Sequence, residues 1–204
     1  MEIISVVIAD DHVIFRKGLA TILNEIATVK LVAETSNGHE LLDYLRSGAA
    51  DVILMDIKMP GMDGIEATRK VVEKYPGIRV IALTMHEEIG YFNSMIEAGA
   101  SGFLLKKTNQ VQLEEAINAV YTGGTYFAEE FAMSVKPPVQ SSAGIKVSLT
   151  AREKEILEFI CRGYSNIEIS KKLGLSQRTI DGHRARLFEK TGAKNAPNLV
   201  LFCN

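Results

Sequence analysis

Short β-branched runs alternate five times with helix-length amphipathic stretches over the first 125 residues, and this alternation constrains the chain more than any other feature. The runs are Ile3–Ala9, Val29–Glu34, Val52–Met55, Val80–Leu83 and Phe103–Leu105. The stretches that follow them span about 12–26, 37–46, 64–75, 88–98 and 110–121. In the first, Ile14, Phe15, Leu19, Ile22 and Leu23 recur at helical spacing. Strands joined through helices need right-handed crossovers, so they pair in parallel and carry helices on both faces. Near-continuous apolar runs fit strands buried from both sides. The expected class is α/β, a doubly wound five-stranded parallel sheet over residues 1–125.

The pattern then breaks. Residues 126–147 carry Pro137, Pro138, Ser141, Ser142 and Gly144 without periodicity and read as a linker. Residues 148–204 read as a small all-α domain. Thr150-x-x-Glu153 and Ser165-x-x-Glu168 are capping-box signatures, as is Asn37-x-x-Glu40 in the first domain. Gly174 stops one helix, Ser176 caps the next, and Pro197 opens a short last helix. Two short helices around a glycine turn make a helix-turn-helix pattern.

Charge divides along the same boundary. Residues 1–130 hold 11 Lys+Arg against 19 Asp+Glu, whereas residues 145–204 hold 11 against 6. An acidic half and a basic half imply two tasks, and the basic half is the candidate for contact with a polyanion. Cys161 and Cys203 have neither metal nor disulfide-framework spacing and read as reduced packing residues. No apolar run approaches the roughly 20 residues of a membrane helix, and the start Met1-Glu2-Ile3-Ile4 lacks a secretion signal, so a cytoplasmic protein without membrane contact is expected.

In an open parallel sheet, ligands bind beyond the carboxyl ends of the strands. Asp10 and Asp11 follow the first strand, Asp56 ends the third, Thr84 the fourth, and Lys106 the fifth. One aspartate in such a place is ordinarily a helix cap, but this set on four strands is not. Three carboxylates together repel, and a divalent cation such as Mg²⁺ resolves the conflict while accepting phosphate oxygens. One carboxylate is then placed to attack phosphorus, Lys106 offers charge to the phosphoryl oxygens, and Thr84 a hydroxyl. His12 reads as a helix-start residue rather than a ligand.

Residues 1–125 resemble a receiver domain of flavodoxin-like fold. The motifs are Ile8-Ala9-Asp10-Asp11-His12, Leu54-Met55-Asp56 running on to Gly64, Ala82-Leu83-Thr84, and Ala98-Gly99-Ala100 running on to Lys106. The resemblance implies that Asp56 accepts phosphate from a sensor histidine kinase and that Asp11 and Asp56 bind Mg²⁺, with Asp10 assisting. It also implies that Thr84 moves toward the phosphorylated aspartate and that Phe103 turns inward. Many relatives have tyrosine at that position, and many have proline where this chain has Lys107.

The second helix of a helix-turn-helix enters the DNA major groove. Here it is expected over about Gln177–Lys190, with Ile180 and Leu187 facing the core. Gln177, Arg178, Asp181, Gly182 and Ala185 should face outward, with Thr179, Arg184, Arg186 and Lys190 on the flanks and Lys171 and Lys172 on the preceding helix near the DNA backbone. Residues 148–200 resemble the LuxR-type DNA-binding domain through Leu149–Glu153, Gly163–Ile169, Leu175–Ile180 and His183. A receiver followed by this domain resembles the NarL/FixJ family of response regulators. That resemblance implies promoter DNA as a partner and a homodimer when phosphorylated. Asp181 and Ala185 depart from the basic residues that relatives often have there. Two other readings stay open: a DNA-binding regulator independent of phosphorylation, and an Asp-nucleophile phosphatase.

Overall fold

The computed structural model describes residues 3–85, 89–128, 131, 149–162, 164–191, 193 and 199. The first part builds β1 (Ile4–Ala9), α1 (Val13–Asn24), β2 (Val29–Thr35), α2 (Gly38–Tyr44), β3 (Val52–Asp56), α3 (Gly64–Lys74), β4 (Arg79–Thr84), α4 (Ile89–Ala98), β5 (Gly102–Leu105) and α5 (Gln110–Tyr121). A sixth strand, β6 (Tyr126–Phe127), follows. All pairings are parallel, in the order β2-β1-β3-β4-β5-β6. The chain reverses its direction of progress across the sheet between β1 and β3, which opens a crevice at their carboxyl ends.

Strand β3 shows why this sheet must be covered twice. All five of its residues are buried. Alternation sends Ile53 and Met55 into one core with Leu41, Val71, Phe92 and Met95, while Val52 and Leu54 enter the other with Leu19, Leu23, Leu113 and Ile117. Helices α2, α3 and α4 therefore cover one face and α1 and α5 the other.

The sixth strand lies in residues that the sequence reading assigned to the linker. Tyr126 and Phe127 pair with Gly102 and Phe103, and Phe131 is 1% exposed. The Phe131 ring stacks on Phe92 at 5.5 Å and meets Phe103 edge-on at 4.7 Å. Aromatic burial on this scale anchors the chain after α5 against the sheet.

The second part consists, among the described residues, of α6 (Ala151–Cys161), α7 (Asn166–Leu173) and α8 (Gln177–Thr191). Thr150 and Ser165 form reciprocal capping boxes with Glu153 and Glu168, as expected. The cap at Asn37 is one-sided, because Glu40 accepts from the Ser36 amide and hydroxyl and from the Asn37 side chain, not from the Asn37 backbone amide. Gly174 ends α7 at φ 64°, a left-handed conformation that favours glycine. Ile156, Ile169, Ile180, Leu187 and Leu199 make the core. Cys161 is disulfide-bonded, which corrects its reading as a reduced thiol; Cys203 and the helix expected at Pro197 lie outside the described residues. Among the described residues, no helix is long and apolar enough to cross a membrane.

Candidate functional site

Four strand ends deliver one charged pocket. Asp10 follows β1 and is fully buried, Asp56 ends β3 and is 4% exposed, and Thr84 ends β4 and is buried. Lys106 follows β5, its backbone amide donating to the Thr84 carbonyl at 2.7 Å. Its ammonium lies 2.7 Å from Asp10 Oδ2 and 2.8 Å from Asp56 Oδ2. The Phe15 ring flanks that ammonium at 4.7 Å, a cation–π contact that helps fix the lysine. Gly64 allows the loop after Asp56 to close tightly, since a Cβ there would stand 2.0 Å from the Asp56 carbonyl oxygen.

Burial pushes the Asp56 carboxyl above its ordinary range; Lys106 opposes the shift and Asp10 adds to it. One ammonium thus serves two buried carboxylates, with a third, Asp11, at the rim. Asp10 Oδ2 and Asp56 Oδ2 share the Lys106 ammonium and Asp11 Oδ1 meets the His12 ring, so three carboxylates gather about one lysine. Oxygens so placed, with a surplus of negative charge, fit a hard divalent cation such as Mg²⁺.

His12 starts α1 as expected, and its ring also lies in this cluster. It occupies the N-cap position of α1, yet its side chain makes no capping bond. Its Nδ1 sits 2.8 Å from Asp11 Oδ1, 3.4 Å from Asp10 Oδ1 and 3.7 Å from Asp56 Oδ2. Ligand atoms of Asp10, Asp11, His12 and Asp56 all lie within 4.8 Å of one another. The adjacency of His12 to Asp11 was the available signal. Arg16, also unassigned, donates to the Asp10 carbonyl and pairs with Glu34. Phe103, expected to turn inward, is fully buried in the aromatic cluster.

The second charged surface lies on α7 and α8. Gln177, Arg178, Thr179, Asp181, Gly182, Ala185 and Arg186 are exposed, as are Lys171 and Lys172. Ile180 and Leu187 are buried, as their spacing requires. Two expected flank residues make contacts within the domain: Lys190, though exposed, is ion-paired, and Arg184 is buried. Lys190 reaches Glu153 Oε2 at 2.8 Å. Arg184 is 7% exposed and donates to Asn166 Oδ1 at 2.7 Å, while Asn166 Nδ2 donates to Asp181 Oδ1 at 2.8 Å.

This face of α8 turns toward the sheet domain. Ser165 and Asn166 approach Gly123 and Gly124, where a Cβ on Gly124 would stand 3.4 Å from the Ser165 Cα. A cleft remains beside the contact, with Asp181, Arg184 and Ala185 on one wall and Val72, Arg79 and Ser101 on the other. Arg79 begins β4 and Thr84 ends it, so the cleft and the acidic pocket lie at opposite ends of the sheet, about 16 Å apart at roughly 3.3 Å per residue.

Comparison with known proteins agrees with both halves. Residues 6–118 match the response regulator receiver domain and residues 147–203 the bacterial regulatory proteins of the luxR family. The response regulator UvrY of Escherichia coli is 37% identical over 191 residues, covering 92% of this chain and 87% of UvrY. The oxygen regulatory protein NreC of Staphylococcus carnosus is 34% identical, covering 97% of this chain and 95% of NreC. Among solved structures, RcsB of Salmonella typhimurium covers 99% of this chain and 98% of its own at 28% identity and a TM-score of 0.61. RcsB in a complex with DNA covers 98% of this chain and 96% of its own at 27% identity, with a TM-score of 0.62. From the sheet order, the pocket at its switch point, the helix-turn-helix and these matches, the chain belongs to the NarL/FixJ family of two-component response regulators.

Proposed function

We propose that this chain is a phosphorylation-controlled transcription regulator of the cytoplasm, in which Asp56 accepts a phosphoryl group from a sensor histidine kinase and thereby governs dimerisation and promoter binding. The observation that carries this reading is the convergence of Asp10, Asp56 and Lys106 within 2.7–2.8 Å contacts at the switch point of the sheet. An Asp56 oxygen attacks the phosphorus of the donor phosphohistidine; a P–O bond forms, the P–N bond breaks, and the imidazole leaves with a proton. Asp10, Asp11 and Asp56 would hold Mg²⁺, which offsets the charge of the phosphoryl oxygens. Lys106 holds those oxygens by charge, and Thr84, at the adjoining strand end, offers its hydroxyl.

The new phosphoryl charge competes for Lys106 and Thr84. Phe103 lies in the same strand as Leu105, three residues before Lys106, and its ring touches Phe131. Movement at the pocket therefore reaches both the face of α4 and α5 and the chain that leads to the second domain. For DNA to be read, α8 must leave the cleft, because Asp181 and Ala185 there face the receiver. Once free, Gln177, Arg178, Asp181, Gly182 and Ala185 enter the major groove, with Thr179, Arg184, Arg186, Lys171 and Lys172 toward the phosphates. Two domains joined in a dimer gain affinity by effective concentration alone. That RcsB is known in a complex with DNA, and as dimers bound to DNA, supports DNA and a second copy as partners.

The test is DNA affinity and mass by light scattering with and without beryllofluoride. We expect a dimer and tighter DNA binding with it. The Asp56→Asn variant should fold, take no phosphate and show no response. Phosphate acceptance by that variant, or identical affinity in both states, would overturn the reading.

A further inference from the structure

We infer that the cleft between the two domains is a binding site for a small phosphate-bearing anion, gripped by Arg79 from the receiver and Arg184 from the helix-turn-helix. The site is built rather than accidental. Arg184 is 7% exposed, and its Nη1 is held at 2.7 Å by Asn166 Oδ1. Arg79 faces the same space from the start of β4, and its guanidinium has neither a hydrogen bond nor an ion pair among the described residues. Burial depresses the basicity of Arg79. Burial first, and then the neighbouring Arg79, hold Arg184 down to about 10, with Asp181 opposing.

The buried Arg184 guanidinium and the half-buried Arg79 face one cleft with a positive charge that Asp181 offsets only in part. Asp181 is the one carboxylate in the lining, so the charge of the lining is positive. The Asp181 oxygen is already engaged by the Asn166 amide at 2.8 Å. Guanidinium forks match phosphate oxygens in pairs. The cleft measures about 330 Å³, at the low end of the range for small-molecule sites and far too narrow for a duplex. Ser101 and Asn166 add polar groups, and Phe188 offers an aromatic wall for an attached organic moiety. The acidic pocket, at the other end of β4, would repel the same ligand.

An anion bridging both arginines ties the domains together and keeps Arg184 from DNA. Through the linkage of binding equilibria it would oppose phosphorylation-driven opening; this consequence, unlike the site itself, rests on the proposed function. Isothermal titration of the unphosphorylated full chain with sodium phosphate and with AMP, against chloride at matched ionic strength, tests the site and separates a free phosphate from a phosphate ester. We expect saturable binding of at least one, weakened roughly tenfold or more in Arg79→Met, since a charge-assisted contact of this kind contributes about 1.5–3 kcal/mol, and unchanged in Asp56→Asn. Arg184→Met should weaken it as well, with circular dichroism confirming that the helical domain is folded. No saturable binding, or equal affinity in a folded Arg79→Met variant, would overturn the proposal. With the site established, phosphate should lower DNA affinity in the parent chain and not in Arg79→Met; an unaltered DNA affinity would leave the site standing and remove its role in covering α8.

Discussion

The receiver pocket and the basic helix are both charged, yet they are made in opposite ways. The pocket gathers residues more than 90 positions apart, from Asp10 to Lys106, and buries them; the helix presents neighbours from one short segment to solvent. In the pocket each charge is defined by its partners, so burial and Coulomb energy are large and act against each other. On α8 most charges are solvated and individually weak. Arg184 is the exception. It sits on the exposed element but is buried like a pocket residue, and this places it at the junction of the two regimes. Sequence distance and burial therefore separate groups that respond to single substitutions from groups that act only in sum.

That contrast can be broken most directly at Lys106. Lys106→Met leaves Asp10 and Asp56 without their shared cation, and unfolding by urea at pH 7 should show a loss of about 3 kcal/mol, as expected for an uncompensated buried charge. The defect should shrink at acid pH, because Asp56 deprived of the ammonium takes up a proton more readily. A pH-independent loss would mean packing, not charge, is at stake. Phe131→Ala comes next, at about 3 kcal/mol for a buried ring that leaves a cavity. A receiver melting curve unchanged by this variant would show that the chain beyond α5 is no part of that core.

On the helical side the effects are smaller. Arg186→Ala should weaken DNA binding by about 1 kcal/mol whatever the sequence and reduce the salt slope by roughly one. A loss confined to one base position would make Arg186 a reader and not a phosphate contact. The smallest effect concerns Glu153. The Lys190 ammonium, followed by the Thr150 amide, holds its carboxyl down from an ordinary 4.5 to about 2. A carboxyl with a depressed folded value contributes stability above 4.5, which is lost as pH falls toward 2. Thermal melts of the full chain should show the helical transition weakening across that window, and Lys190→Met should flatten the dependence while leaving DNA affinity nearly unchanged. A large DNA defect in that variant would restore Lys190 to the phosphate contacts.

The fold was largely legible because its signals are local and repeated. Strand runs such as Val52–Asp56 are fully buried where apolar continuity called for it, and the caps at Thr150 and Ser165 formed as written. Strand β6 was not legible. Two residues show no period, and Pro137 and Pro138 nearby argued for a linker. In the pocket, Asp10, Asp11, Asp56, Thr84 and Lys106 could be placed together because strand ends are countable. His12 was missed because its capping position hides where the ring turns. The disulfide at Cys161 was illegible for a related reason: spacing alone says nothing of proximity in space.

Alternation, composition and cap residues by themselves determined two domains, a parallel sheet and the side of it on which the acids gather, since each depends on short-range periodicity. Only the tertiary structure decided that one lysine bridges Asp10 and Asp56, that Arg184 lies under the receiver, and that Arg79 faces it. These depend on distances between elements remote in sequence, and burial and Coulomb interactions take their magnitude from such distances.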